Sequence, residues 1–153
     1  MDLVINEWFP EYCRAEASEE ERELLDLFLT RFLSNRDRIF IRNPSRFLDK
    51  IKQYAKAYQA HRDIYTIAIL TNFIKNIILN GERCQIIDED CILEDVVTEK
   101  LQEGNYSSDT YLFEAASKTE SKIIITTDDK LRRQMHNIAD YKVINLKEFL
   151  QQY

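Results

Sequence analysis

Three carboxylates in the second half of the chain have a setting that suggests chemistry. Asp109 opens an apolar-periodic segment. At about 100° per residue, Leu112, Phe113 and Ala116 fall within about 60° of it on one helix face. A carboxylate on an apolar face is unfavourable unless a cation or a donor pairs with it. The alternative is a first-turn Asp interacting with the positive end of its own helix, worth about 0.3–1 kcal/mol. That explains the position along the helix but not the face. Asp128 and Asp129 follow directly on Lys122-Ile123-Ile124-Ile125-Thr126. Either they are N-terminal carboxylates of the next short helix, or they deliver oxygen donors to the carboxyl edge of a sheet, where Asp109 meets them. Clustered carboxylates repel and call for a cation, and oxygen-only ligation suits Mg2+ or Mn2+ rather than zinc. Such an ion supports phosphodiester hydrolysis by activating water and neutralising the reacting phosphate.

The elements that would position these groups can be read from pattern. Residues 3–5, Leu-Val-Ile, form a short buried strand that turns after Asn6 into a helix, with Pro10 in its first turn. Ser18-x-x-Glu21 is a capping box for a helix reaching about Ser34, which buries Leu24, Leu25, Phe28, Phe32 and Leu33. Asn43-Pro44 predicts a cap with proline at the first helical position, and Phe47, Leu48, Ile51, Tyr54, Ala55 and Tyr58 then recur at helical spacing. A third helix over residues 63–80 is apolar on most sides, so a central position is expected. Further readings are a strand at 84–87, helices at 90–103 and 108–118, the β-branched strand 122–126, and a short helix at 128–136. A last strand at 142–144 is followed by a helix capped by Asn145. Short strands alternating with helices predict an α/β fold with a small, mainly parallel central sheet flanked by helices on both faces. The whole of residues 1–153 reads as a single domain. Ligands gather beyond the carboxyl ends of strands in such sheets. That singles out Asn6-Glu7, Thr126 to Asp129, and the helix start at Asp109.

Composition narrows the function classes. Two glycines and two prolines exclude collagen-like and linker-rich chains, and make a turn-rich sandwich a poor fit. No run approaches the roughly 20 apolar residues of a membrane span, and Asp2, Asn6 and Glu7 interrupt the first apolar stretch. A soluble cytoplasmic protein with no membrane partner is the expectation. Cys13, Cys84 and Cys91 lack C-x-x-C spacing and lie apart from His61 and His136, so reduced thiols are expected rather than zinc or disulfides. The net charge of -6 hides an asymmetry. Residues 1–30 hold two basic and nine acidic side chains, whereas residues 31–62, from Arg31 to Arg62, hold nine basic against Asp37 and Asp49. That block either serves a polyanionic partner or neutralises the acidic first helix.

The stretch Ser108-Asp109-Thr110-Tyr111-Leu112-Phe113-Glu114-Ala115-Ala116, then Lys122 to Leu131 with its Thr126-x-Asp128, resembles the C-terminal half of PIN-domain ribonucleases. Val143-Ile144-Asn145-Leu146 to Phe149-Leu150 is similar to that family's closing strand and helix. Chain length agrees with stand-alone members, including the toxins of toxin–antitoxin pairs. The resemblance implies a metal-dependent endoribonuclease. Asp109 and Asp128 would bind Mg2+ or Mn2+, and Asn6, Glu7 or Asp129 would complete the site. Thr126 would position water or phosphate, and Arg36, Arg38, Arg42 and Arg46 would hold the RNA backbone. It also implies RNA as partner, an antitoxin-like protein and a homodimer. Two positions depart from the family pattern. Asn6 stands where the first strand ordinarily ends in Asp. The early-helix acid has only Asp37 and Asp49 as candidates, and Asp49 lies beside Lys52 and Lys56 on a solvated face. A PIN-like module with an incomplete site, binding RNA or protein without cleavage, is the alternative.

Overall fold

The structure is a computed structural model that describes residues 1–61 and 63–153. Arg62, the last cation of the basic block, lies outside the described residues. Five strands form one sheet, all parallel: β1 (Asp2–Ile5), β2 (Arg38–Arg42), β3 (Cys84–Ile87), β4 (Ile123–Thr126) and β5 (Lys142–Asn145), in the order β3-β2-β1-β4-β5. Helices cover both faces, so the α/β expectation holds, and the sheet is wholly rather than mainly parallel. In register, Leu3, Val4 and Ile5 pair with Ile123, Ile124 and Ile125. Strand order reverses between β1 and β4, because the chain builds outward through β2 and β3 before returning to the other side of β1. The carboxyl ends of those two strands therefore flank the topological switch point, the place at which ligands gather in such sheets.

The helices are α1 (Trp8–Tyr12), α2 (Glu19–Asn35), α3 (Arg46–His61), α4 (Ile64–Phe73, continuing as a π-helical turn over Ile74–Ile78), α5 (Asp95–Glu103), α6 (Thr110–Ser117), α7 (Asp129–Gln134) and α8 (Leu146–Gln152). A 3-10 turn at Ser107–Asp109 leads into α6. The Ser18–Glu21 capping box forms in both directions and starts α2 as read from sequence. Asn145 caps α8 by accepting from the Lys147 N–H at 2.9 Å. Phe9, Phe28, Phe47 and Phe73 meet in one aromatic cluster from α1, α2, α3 and α4, with the Phe9 and Phe73 ring centroids 4.1 Å apart. The Trp8 indole Nε1–H donates to the Ile125 carbonyl at 3.0 Å and ties α1 to the end of β4.

Four elements differ from the sequence reading. β2 lies inside the basic block, where Arg38 and Arg42 bracket Ile-Phe-Ile and mask a core strand whose three central residues are buried. α3 begins at Arg46 rather than at Asn43-Pro44, because the Ser45 hydroxyl accepts from the Leu48 N–H at 3.3 Å and supplies the cap. α4 is peripheral rather than central. It buries Thr66, Leu70 and Phe73 but leaves Ile64 and Tyr65 exposed, so its uniform apolarity does not mark an all-round core position. α5 begins five residues later than position 90, at Asp95. Cys13, Cys84 and Cys91 are free thiols, and burial pushes the first two up to about 12. Among the described residues no helix is long and apolar enough to cross a membrane.

Candidate active site at the β1–β4 switch point

Asn6 and Glu7 leave the end of β1, and both are buried. Asn6 is held by three hydrogen bonds, two of them through its side-chain amide. Its backbone N–H donates to the Ile125 carbonyl at 3.4 Å, its Nδ2 donates to Thr126 Oγ1 at 2.7 Å, and its Oδ1 accepts from the Trp8 N–H at 3.2 Å. Thr126 also accepts from the Asp128 N–H at 3.0 Å. One hydroxyl thus pins the end of β1 to the turn after β4. Thr126 is fully buried, so it positions Asn6 and Asp128 and does not itself reach water or phosphate.

Asp128 caps α7, its Oδ1 accepting from the Lys130 and Leu131 N–H groups at 2.8 and 3.0 Å. Both bonds fall on one oxygen; among the described residues Oδ2 takes none. Asp129 turns away toward β5, where its Oδ1 accepts from Asn145 Nδ2 at 3.0 Å and lies 3.3 Å from Arg132 Nε. It pairs there rather than with the other acids.

Asp109 is half-buried at the N-cap position of α6 and makes no side-chain cap hydrogen bond. Burial pushes its carboxyl up to about 6. Repulsion from Glu7 and Asp128 adds to this, while Arg46 pulls the other way. Glu7 and Asp128 are therefore both near enough to act on Asp109 across the switch point. Arg46 Nε stands 3.0 Å from Glu7 Oε1 as an ion pair, but poorly aligned, so that buried oxygen has no directed hydrogen bond. The hydroxyl of Tyr111, the second residue of α6, faces Glu7 without completing a hydrogen bond, and burial and the carboxylate raise its pKa.

The basic block does not form one path. Arg42 points inward, its Nε 3.1 Å from Glu114 Oε2 and its Nη1 donating to the Asn43 and Ile87 carbonyls. Arg38 is held bidentate by Asp2 at 2.9 and 3.0 Å, at the amino end of the sheet, and Arg36 ends α2 beside it. Of the four arginines read as RNA contacts, Arg46 is the one paired with an acid of the candidate site. For the early-helix acid, Asp37 is buried among the N-terminal amine and the Tyr153 hydroxyl, and Asp49 is exposed. Neither joins the site. Arg46 as partner of Glu7, and Tyr111, escaped the sequence reading. Tyr111 lies only two residues past Asp109, and that proximity was the available signal.

The donor set is oxygen-only, which suits Mg2+ or Mn2+. A buried Glu7 oxygen without a directed hydrogen bond and an Asp109 raised by burial, with its acidic neighbours adding to the shift, both accommodate a cation. Among the described residues no three acidic, His or Cys side chains converge as a ready-made metal cluster. Arg46 is the positive charge now beside Glu7. Comparison with family models, curated proteins and solved structures finds no match to this chain.

Proposed function

We propose that the chain is a PIN-like, divalent-metal-dependent endoribonuclease acting in the cytoplasm. The observation that carries this reading is the placing of the Asp109 carboxyl at the switch point, where burial above all, with repulsion from Glu7 and Asp128 added, lifts it to about 6. Acids held together against their own repulsion are a recurring mark of a functional site. In this reading Asp109, Asp128 and Glu7 hold Mg2+ or Mn2+, with Asn6 at the edge of the set. When bound, such an ion supplies charge neutralisation at the reacting phosphate and a more acidic water. Thr126 keeps Asn6 and Asp128 in register, and Arg46 is the cation nearest to an incoming phosphate. An antitoxin-like protein partner and a homodimer belong to this reading through the resemblance alone.

The second reading is a PIN-like module that binds RNA or protein without cleaving. It is favoured by the Asn6 carbonyl oxygen, already engaged by the Trp8 N–H, and by the want of a three-acid cluster among the described residues. Cleavage of a generic single-stranded RNA, with and without Mn2+, separates the two. The nuclease reading requires Mn2+-dependent endonucleolytic products, lost in Asp109→Asn and Asp128→Asn, and tighter Mn2+ binding in Asn6→Asp. An inactive wild type that binds no Mn2+ at millimolar concentration, with Asn6→Asp no better, refutes it.

A further inference from the structure

Beside the acids of the candidate site lies a groove of about 350 Å3 lined by Gly104, Tyr106, Lys130, Arg133 and Gln134. Its floor is built with unusual closeness. α5 ends at Gly104, Asn105 takes a left-handed backbone at φ 59°, and the Tyr106 N–H donates back to the Leu101 carbonyl at 2.7 Å. The Tyr106 ring then lies directly on the bare backbone of Gly104. A Cβ at position 104 would stand 2.5 and 2.8 Å from two ring carbons and 2.9 Å from Gln134 Cγ. Any other residue there would displace the ring. Gln134 Nε2 donates to the Lys100 carbonyl at 3.1 Å and fixes α7 to the end of α5.

This aromatic ring is three residues before Asp109, and both Asp128 and Asp109 act on its phenol, as does Arg133. Lys130 and Arg133 sit three apart on α7, on one helix face. Among the described residues neither forms an ion pair, and the Arg133 side chain makes one hydrogen bond, from its Nε to the Asp129 carbonyl at 3.2 Å. A half-buried ring flanked by cations outside any ion pair is the combination that holds single-stranded nucleic acid. Bases stack on the aromatic, and cations track the phosphates.

We propose that this groove is a subsite for single-stranded RNA, in which a base next to the cleaved bond stacks on Tyr106 while Lys130 and Arg133 hold the adjoining phosphates. The proposal rests on the nuclease reading above, yet its test is separable, because binding can be measured in EDTA where no cleavage occurs.

The experiment is fluorescence anisotropy of a short labelled single-stranded RNA, and of the same strand with abasic positions. The proteins are the wild type, Tyr106→Ala, Tyr106→Phe and the double variant Lys130→Gln/Arg133→Gln. Tyr106→Ala should weaken RNA binding about five- to one-hundred-fold, and Tyr106→Phe should stay within about twofold, since the stacking face remains. The abasic strand should bind wild type and Tyr106→Ala alike. The double variant should flatten the logarithmic salt slope by about 1.4, two contacts at about 0.7 each. Equal RNA binding by wild type and Tyr106→Ala overturns the proposal. So does an equal loss on the abasic strand, which would mark Tyr106 as a folding residue, or wild-type binding of polyglutamate as tight as of RNA. Tyr106-dependent RNA binding without Mn2+-dependent cleavage would sustain the subsite and remove the nuclease reading. A wild type that binds no single-stranded RNA removes both.

Discussion

Replacing Asp109 by asparagine in the metal-free protein should stabilise it at neutral pH, although the same change should abolish activity. The carboxyl moves from its usual 3.8 up to about 6, with burial the largest cause and Glu7 and Asp128 adding to it. Between those values the folded state holds a proton that the unfolded state has released. Linkage then makes wild-type stability fall as pH rises from about 4 to about 6, and stay at the lower level above that. At about 1.36 kcal/mol per tenfold change in proton affinity, the full displacement corresponds to about 3 kcal/mol. Solvent around a half-buried carboxylate screens this to about 1–2 kcal/mol. Asparagine carries no such penalty, and no helix cap is lost, because Asp109 makes no capping hydrogen bond. Urea and thermal unfolding in EDTA should show Asp109→Asn more stable by about 1–2 kcal/mol at about pH 8, a rise of about 3–6 °C in Tm for a chain of this size. The two proteins should converge below about pH 3, under the usual value of 3.8, where the wild-type group is protonated in both states. A variant less stable than wild type at neutral pH, or a difference that is the same at both pH values, would refute the account of Asp109 as a strained acid.

Thr126→Val should lower stability by about 1–3 kcal/mol, because the Asn6 Nδ2 and Asp128 N–H groups lose their shared acceptor in a buried place; the urea midpoint reads this. An unchanged midpoint would mean that water replaces the hydroxyl. Arg46→Met should also destabilise by about 1–3 kcal/mol, since it leaves the nearly buried Glu7 carboxylate without its counter-charge, and Glu7→Gln in the same chain should restore most of the loss. A double-mutant cycle with no coupling would show that the pair contributes nothing.

Much of the architecture was legible in local pattern. The Ser18–Glu21 capping box, the β-branched run before Thr126 and the Asn145 cap are each decided within a few residues by hydrogen bonding and side-chain shape, so their elements appear where the sequence puts them. β2 was not legible, since a strand of three buried residues between two arginines carries too short an apolar signal to stand out inside a basic block. The start of α3 was missed because Asn43-Pro44 and Ser45 both carry capping chemistry, and only the packed structure selects between them.

The sequence alone identified Asp109, Asp128, Asn6 and Glu7 as residues with chemistry to explain, because carboxylates and amides beside buried strands must find partners. Only the tertiary structure decided which partners they find. Parallel pairing of β1 with β4 brings residues 120 positions apart into one hydrogen bond, from Asn6 to Thr126. The same packing sends Asp129 toward Asn145, turns Arg42 inward to Glu114, leaves Arg36 and Arg38 at the far end of the sheet, and sets Arg46 against Glu7. A linear charge count cannot separate these arginines, because successive positions on a strand and a helix face different ways. Which cation meets which acid is fixed by strand order and helix placement, which long-range burial determines and local pattern does not.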